Sequence, residues 1–130
     1  MSSSRKPKGA LPLVAVGIDI VDVGRFARLD QKRNARFLTR VFTPAERRYC
    51  FGRTNTAQHL AARFAAKEAI MKALHGVGVH RSTYRDIEVS HDAHQAPVAR
   101  LVRQWRCTVS LSISHTNDVA VVTALIHRRG

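Results

Sequence analysis

The chain of 130 residues is predicted to fold as a single compact α+β domain, with antiparallel strands packed against a long central helix. Alternating apolar residues indicate strands near the start and in the last third of the chain. A helical repeat indicates one long helix between them, and the length leaves room for only one core. We expect a disordered basic tail at residues 1–12 and the folded domain at residues 13–130.

The first strand begins at Val14, where large apolar residues alternate with other residue types. This period of two predicts a half-buried strand. It places Asp19 on the face opposite the large apolar residues, which are Val14, Val16, Ile18 and Ile20.

A first helix is predicted from about Val23, with Asp22 as its N-cap and with Phe26 and Leu29 on its apolar side. Asn34 offers a break in this helix. If the helix continues past it, basic residues follow at three- and four-residue steps on the other side and form a basic stripe: Arg25, Arg28, Lys32 and Arg36.

Two further helices follow. Thr43-Pro44-Ala45-Glu46 is a capping box with proline at the first helical position, which predicts a short helix to about Phe51. A turn then leads to the longest helix, about Ala57 to His75, with Thr54 or Thr56 as its cap. Its predicted apolar stripe consists of Leu60, Phe64, Met71 and Leu74, and its charged residues are expected on the other side: Arg63, Lys67, Glu68 and Lys72.

The last third of the chain has the pattern of strands. Short strands are predicted at 86–89 and 98–102, with a turn between His91 and Pro97. Val109, Leu111 and Ile113 alternate with serines. A turn at 115–118 leads into an apolar strand from Val119 to Ile126, which predicts a hairpin.

Composition narrows the range of functions. The formal net charge of +13 favours an anionic partner, such as nucleic acid, an acidic protein or a phosphorylated metabolite. No apolar run reaches the ~20 residues of a membrane span, so we expect a cytoplasmic protein without a membrane partner. The sequence contains neither a Walker-type loop nor a GxGxxG fingerprint, which argues against nucleotide hydrolysis and dinucleotide chemistry.

Four residues could carry chemistry. Glu68 and Lys72 share a helix face, and this spacing fits a surface ion pair or a carboxylate that holds a divalent metal beside a phosphate. Asp19 is a candidate second carboxylate, or a strand-end residue that caps the next turn. His115 fits a general base, a hydrogen-bond donor to a phosphate group, or a histidine that merely lies in a turn. Its neighbour Ser114 does not make a triad, because adjacency in sequence is not the required geometry.

Four segments together resemble the small trimeric holo-[acyl-carrier-protein] synthase branch of the 4′-phosphopantetheinyl transferase superfamily. They are GIDIV from Gly17, RVFTPAE from Arg40, LAARFAAKEA from Leu60 with KAL from Lys72, and VSLSISHT from Val109. Their order and spacing match from about Val16 to Ile126. The resemblance implies that phosphopantetheine moves from coenzyme A to a serine of an acidic apo-acyl carrier protein, in fatty-acid synthesis, with release of adenosine 3′,5′-bisphosphate.

The resemblance also implies roles for particular residues. Asp19 and Glu68 would hold Mg²⁺, with Glu68 and Lys72 as catalytic residues. The coenzyme A contacts would be Arg63, Lys72, His115 and Thr116. Arg25 matches the family's carrier-docking arginine, and Arg28, Lys32 and Arg36 extend its stripe by spacing alone. The family is a homotrimer with its sites at subunit interfaces, and either a metal-bound water or a carboxylate deprotonates the carrier serine.

One departure concerns the turn after the Asp-Ile-Glu-Val strand. The family has Gly-Lys-Pro there, and this chain has Gln95-Ala96-Pro97, so the lysine contact near the adenosine end is missing.

Two rival functions remain for the chain. A small basic nucleic-acid-binding protein is disfavoured by the aromatic content of 6%. An inactive carrier-binding homologue is disfavoured by the intact Asp19, Glu68 and Lys72.

Overall fold

Within residues 12–130, which the computed structural model describes, two antiparallel sheets pack around one long helix. The predicted basic tail lies outside the described residues apart from Pro12, and its boundary stays a prediction. The strands are β1 (Val14–Asp22), β2 (Ile87–His91), β3 (Pro97–Leu101), β4 (Cys107–His115) and β5 (Val119–Arg128). The helices are α1 (Ala35–Val41), α2 (Pro44–Phe51) and α3 (Thr56–Gly76), with short 3-10 helices at Val23–Phe26 and Tyr84–Asp86. The predicted α+β class is confirmed.

The larger sheet has the strand order β1-β5-β4, and β2 pairs with β3 in a separate hairpin. The predicted hairpin of the last two strands is confirmed, with His115 opposite Ala120 at its turn. β1 and β5 lie against α3 along most of its length. In the part of the chain that the structure describes, no helix is both long and apolar enough to cross a bilayer. The expected cytoplasmic location stays a prediction.

Strand β1 packs on α3 through its small residues, so the face that carries the large apolar residues is not the buried one. A Cβ added to Gly17 would lie 1.9 Å from the Ala69 carbonyl oxygen, and one added to Gly76 would lie 2.7 Å from the Ala15 Cβ. Only residues of this size permit so close an approach of strand and helix. The large residues therefore point away from the helix and are more than half exposed: Val14, Val16, Ile18 and Ile20. Asp19 faces α3, opposite this row, as predicted.

Helix α3 is buried on nearly all sides, so the expected charged outer face does not exist as such. Arg63 and Lys67 are buried along with the apolar stripe residues Leu60, Phe64 and Leu74. The helix contacts β1 and β5 on one side and α2 and β2 on another, which leaves little of its surface in water. Its N-cap is Asn55 and not the predicted Thr54 or Thr56, since the Thr56 hydroxyl donates to the Arg53 carbonyl oxygen at 2.7 Å.

The predicted capping box of α2 is confirmed. The Thr43 hydroxyl accepts from the Glu46 N–H at 3.2 Å, and the Glu46 carboxylate accepts from the Thr43 N–H at 2.8 Å. The pair is buried, which joins the start of α2 to the core.

The predicted first helix is wrong in extent. A 3-10 helix ends at Phe26, and Asp22 makes no side-chain cap. Asp30 then accepts hydrogen bonds from the N–H groups of Lys32 and Arg33 at 2.9 and 2.8 Å, which ends helical continuation because the side chain replaces a helical acceptor. The four basic residues of the predicted stripe are exposed but do not share one helix; α1 begins only at Ala35.

Candidate active site

Asp19 and Lys72 meet where β1 crosses α3. The Lys72 ammonium donates to Asp19 Oδ1 at 3.0 Å and to the Ile18 carbonyl oxygen at 2.9 Å. Asp19 is two residues beyond Gly17 on the same strand face, so the close contact at Gly17 brings its carboxylate to the helix. The alternative of a surface ion pair between Glu68 and Lys72 is not what the structure has, because Lys72 pairs with Asp19.

Glu68 lies one helical turn before Lys72 and is bound by Tyr84. The Tyr84 hydroxyl donates to Glu68 Oε1 at 2.6 Å. Burial, together with the hydrogen bond to Glu68, raises the pKa of Tyr84 to about 12. The negative charges of Glu68 and Asp19 also raise this pKa. Sequence reasoning missed Tyr84, and its only local signal was the capping pattern from Thr83 to Asp86.

The two carboxylates suit Mg²⁺ better than they suit a metal whose ligands all come from the protein. Among residues 12–130, no cluster of three or more histidine, cysteine or acidic side chains could hold a metal ion. Mg²⁺ is commonly bound by one or two carboxylates, with water and substrate phosphate oxygens completing its shell. Asp19 already attracts a cation, the Lys72 ammonium, so the donor set at this place fits that metal.

Lys67 does not face the site, although it adjoins Glu68 in sequence. Its ammonium bonds Glu46 Oε1 at 2.6 Å and the carbonyl oxygens of Val41 and Tyr84 at 2.8 and 3.0 Å. Burial lowers the pKa of Lys67, although the Glu46 carboxylate opposes the shift. Glu46 also accepts from the Val89 N–H at 2.7 Å. The pair is therefore a buried tie between α2, α3 and β2, and Lys67 has no donor left for a substrate phosphate.

A second group of predicted residues lines a cavity of about 210 Å³ between α3, β2 and β4. Arg63 and His115 both line it, with His59, His91, Asn55 and Gln95. Arg63 is only 3% exposed, its guanidinium lies 4.3 Å from the Tyr49 ring centroid, and its Nε atom has no hydrogen-bond partner. A buried guanidinium with an unused donor is suited to an anion.

The environment of this cavity disfavours the charged form of two histidines. Burial lowers the pKa of His59 and of His91, and the charges of Arg63 and Arg53 add to both shifts. Arg63 Nη2 lies 3.5 Å from His91 Nδ1, a contact that suits a neutral ring as acceptor. The cavity therefore combines the buried Arg63 guanidinium with polar side chains that can donate or accept hydrogen bonds.

The structure brings the predicted residues together in two places. Asp19, Glu68 and Lys72 lie at one, and Arg63 and His115 lie at the other; none of the first three lines the cavity. Thr116 closes the turn between β4 and β5, where its hydroxyl accepts from the N–H groups of Asp118 and Val119 at 3.2 and 3.1 Å. Gln95, in the turn that departs from the family, has a left-handed φ of 64°.

A sequence model of the 4′-phosphopantetheinyl transferase superfamily matches residues 15–124. The chain belongs to this superfamily. The family resemblance of the four segments and the predicted enzyme class, a phosphopantetheinyl transferase, are thereby confirmed.

Members of the superfamily are similar to this chain over nearly its whole length. The holo-[acyl-carrier-protein] synthase of Geobacter metallireducens is 40% identical over 125 residues, which cover 89% of this chain and 98% of that protein. The synthase of Koribacter versatilis is 41% identical over 123 residues, covering 88% and 98%.

Solved structures of the superfamily share the fold. The Bacillus anthracis synthase, crystallised with coenzyme A (3′,5′-ADP), has a TM-score of 0.72 and 31% identity, with 88% of this chain and 96% of that chain covered. The Helicobacter pylori synthase, in complex with coenzyme A, has a TM-score of 0.72 and 28% identity, with coverage of 85% and 98%.

Proposed function

We propose that this transferase moves 4′-phosphopantetheine from coenzyme A to a serine of apo-acyl carrier protein in a Mg²⁺-dependent reaction. The observation that carries the proposal is the meeting of Asp19 with Lys72, one turn from Glu68. In the reaction, the serine oxygen bonds to the phosphorus that bears the pantetheine arm. The bond from that phosphorus to the bridging oxygen breaks, adenosine 3′,5′-bisphosphate leaves with that oxygen, and the serine proton passes to a carboxylate of the site or to water.

Asp19 and Glu68 would hold the metal, which when bound neutralises charge on the pyrophosphate. Lys72 is 55% exposed, so its ammonium is free to leave Asp19 and bind a phosphate oxygen. Its long side chain and three donors allow both positions. Glu68 and Lys72 thus touch the reacting pyrophosphate from the same helix face, which is the basis for assigning them as catalytic.

The cavity with Arg63 and His115 suits the nucleotide end of coenzyme A. Arg63 supplies a buried positive charge, and the exposed His115 stands at the edge of β4. Gln95 lines the same cavity, and the next residue, Ala96, stands where the family has its lysine, so this turn supplies no charged contact. Thr116 contributes to the proposed coenzyme A site indirectly, because its hydroxyl closes the turn that positions His115.

The acidic carrier protein is proposed to dock on a basic surface that extends from the end of β1 into α1. Four of its exposed cations lie in turns and short helices: Arg25, Arg28, Lys32 and Arg36. Arg25 is anchored, because its guanidinium lies 5.4 Å from the Phe64 ring centroid. Opposite charge raises the encounter rate of two proteins more than their final affinity.

We propose the homotrimer that the family resemblance implies, with the outer face of the larger sheet as its interface. The four large residues of β1 are more than half exposed, and Leu125, opposite Val16 in the register, is 42% exposed. A contiguous apolar face of this kind marks a protein interface. Assembly would also explain why the metal-site residues and the cavity residues lie apart within one chain: a complete site would combine one group from each of two subunits.

The test is mass spectrometry of an apo-acyl carrier protein incubated with the protein, coenzyme A and Mg²⁺. The proposal predicts that the carrier gains one phosphopantetheine group. No gain with any carrier, combined with salt-sensitive retention on DNA or RNA, would replace it with the nucleic-acid-binding alternative. Carrier binding without a gain would indicate an inactive carrier-binding homologue.

A further inference from the structure

The hydroxyl group of Tyr84 is the only group among residues 12–130 that donates a side-chain hydrogen bond to Glu68. The distance of 2.6 Å is short, as expected for a hydroxyl that donates to a carboxylate. The bond engages Oε1 and leaves Oε2 for another ligand. Glu68 is thus held by Tyr84, a residue to which the proposed function assigns no role.

Tyr84 is itself fixed by contacts that do not involve Glu68. Its ring stacks on Phe64 with centroids 5.7 Å apart and an interplanar angle of 24°. Its carbonyl oxygen accepts from the buried Lys67 ammonium at 3.0 Å. Its short 3-10 helix is capped by Asp86, which accepts from the Thr83 N–H at 3.0 Å. The core therefore sets where the hydroxyl lies, and the hydroxyl sets where Glu68 lies.

A glutamate on a partly exposed helix face has several rotamers, and metal binding restricts it to one of them at a cost in conformational entropy. A hydrogen bond that holds one oxygen in advance removes this entropy cost from metal binding. Hydrogen bonds to carboxylate ligands commonly have this effect, and loss of such a partner costs roughly 10–100-fold in metal affinity or activity.

We propose that Tyr84 is a positioning residue whose hydroxyl orients the Glu68 carboxylate for Mg²⁺, with Lys67 fixing Tyr84 through its backbone. This inference rests on the proposed function, because it requires a metal at Glu68. It assigns the buried Lys67–Glu46 pair an indirect part in the site: the pair holds the segment that carries the phenol.

The test is Tyr84→Phe, which keeps the ring and its stacking and removes only the hydroxyl. Ser82→Ala is the matched control, since it removes a nearby hydroxyl whose oxygen is buried without a hydrogen-bond partner. Binding of Mn²⁺ as a paramagnetic substitute is measured by electron paramagnetic resonance with coenzyme A present. Thermal unfolding and the Mg²⁺ dependence of transfer are measured on the same three full-length proteins.

We expect Tyr84→Phe to weaken Mn²⁺ binding about tenfold, the lower end of the range for such partners. The Mg²⁺ concentration for half-maximal transfer should rise to a similar extent, while the KM for coenzyme A at saturating Mg²⁺ and the melting temperature should stay near those of Ser82→Ala. Mn²⁺ binding by Tyr84→Phe that is within twofold of wild type, or tighter, overturns the inference.

The failure of the proposed function has a different signature. A wild-type protein that binds Mn²⁺ but modifies no carrier contradicts the transfer reaction, and the Mn²⁺ comparison still decides the role of Tyr84. A wild-type protein that does not bind Mn²⁺ contradicts both.

Discussion

Lys72 pairs with Asp19 across the contact between α3 and β1, with 3.0 Å between Nζ and Oδ1, and not with Glu68 one turn away on its own helix. Lys72 is largely exposed, so this ion pair contributes little to stability. The ion pair instead fixes positions, because it holds the Lys72 ammonium against the Asp19 carboxylate, which faces the helix. Glu68 is left to Tyr84, and these two carboxylates are the ones that we propose to hold the metal.

The first prediction concerns these carboxylates. Asp19→Asn and Glu68→Gln keep the shape of the side chain and remove its charge, so each should lower turnover at least about tenfold. Excess Mg²⁺ should restore part of it, because weaker metal binding is offset by concentration. Asp22→Asn is the control, since Asp22 is exposed and makes no capping bond. Unchanged turnover in Glu68→Gln would mean that this residue is not a metal ligand.

The second prediction concerns the contact that brings Asp19 to the helix. In Gly17→Ala the new methyl group would lie 1.9 Å from a backbone oxygen, so strand and helix must separate. Overpacking of this kind costs about 1–3 kcal/mol of unfolding free energy. Gly24→Ala meets nothing within 4 Å and should stay within ~0.5 kcal/mol of wild type. Urea unfolding of the two variants checks this, and equal midpoints would refute the close packing.

The third prediction concerns pH. The pKa values of His59 and His91 are lowered in the fold from an ordinary value of 6.5, so below that pH the unfolded chain binds more protons than the folded one. Stability should therefore fall as pH drops below about 6.5 and should be insensitive to these groups above it. Replacing both histidines with glutamine should flatten this slope, as measured by urea unfolding at several pH values. His94→Gln, an exposed histidine in the β2–β3 turn, is the control, and an unchanged slope in the double variant contradicts the assignment.

The fourth prediction concerns carrier docking. Reversing Arg25 and Arg28 to glutamate should raise the KM for the carrier, and a hundredfold rise corresponds to about 2.8 kcal/mol of repulsion and lost attraction. The KM for coenzyme A should be nearly unchanged. Reversing Arg106 and Arg129, which are exposed near the start of β4, changes the net charge equally and serves as the control. A carrier KM within twofold of wild type after the first reversal would place docking elsewhere.

The fifth prediction concerns assembly. Ile18 is 59% exposed in the single chain, so Ile18→Asp should leave the subunit folded while burying a charge in the proposed trimer interface. Light scattering should show a trimer for wild type and a monomer for the variant, with similar circular dichroism. Val98→Asp, at an exposed position of β3, should remain trimeric. A monomeric wild type at working concentration contradicts the shared-site proposal.

Local rules predicted the local elements well. The capping box at Thr43 and Glu46 needs only four residues, and the length of α3 follows from its own periodicity. Burial was harder to predict, because it depends on what an element packs against. A period of two shows that one face of β1 is buried but not which one, and the face with the small residues is buried because Gly17 approaches Ala69 closely.

In the site, too, local motifs identified residues but did not predict their contacts. Asp19, Glu68 and Lys72 were identified from motifs, but the partner of each was set by residues distant in sequence. Lys67 is buried because Glu46 lies beside it, and Tyr84 reaches Glu68 only through the packing of the segment before β2. The first helix was predicted too long because Asp30 bonds its own following backbone, a competition that periodicity does not register.

The most direct test of the central claim is a coupled measurement on metal-stripped protein. Carrier mass gain and release of adenosine 3′,5′-bisphosphate are followed together, first without metal and then after addition of Mg²⁺. We expect no reaction before Mg²⁺ is added and equal amounts of modified carrier and released nucleotide afterwards. Transfer at full rate without a divalent metal, or nucleotide release without carrier modification, would contradict it.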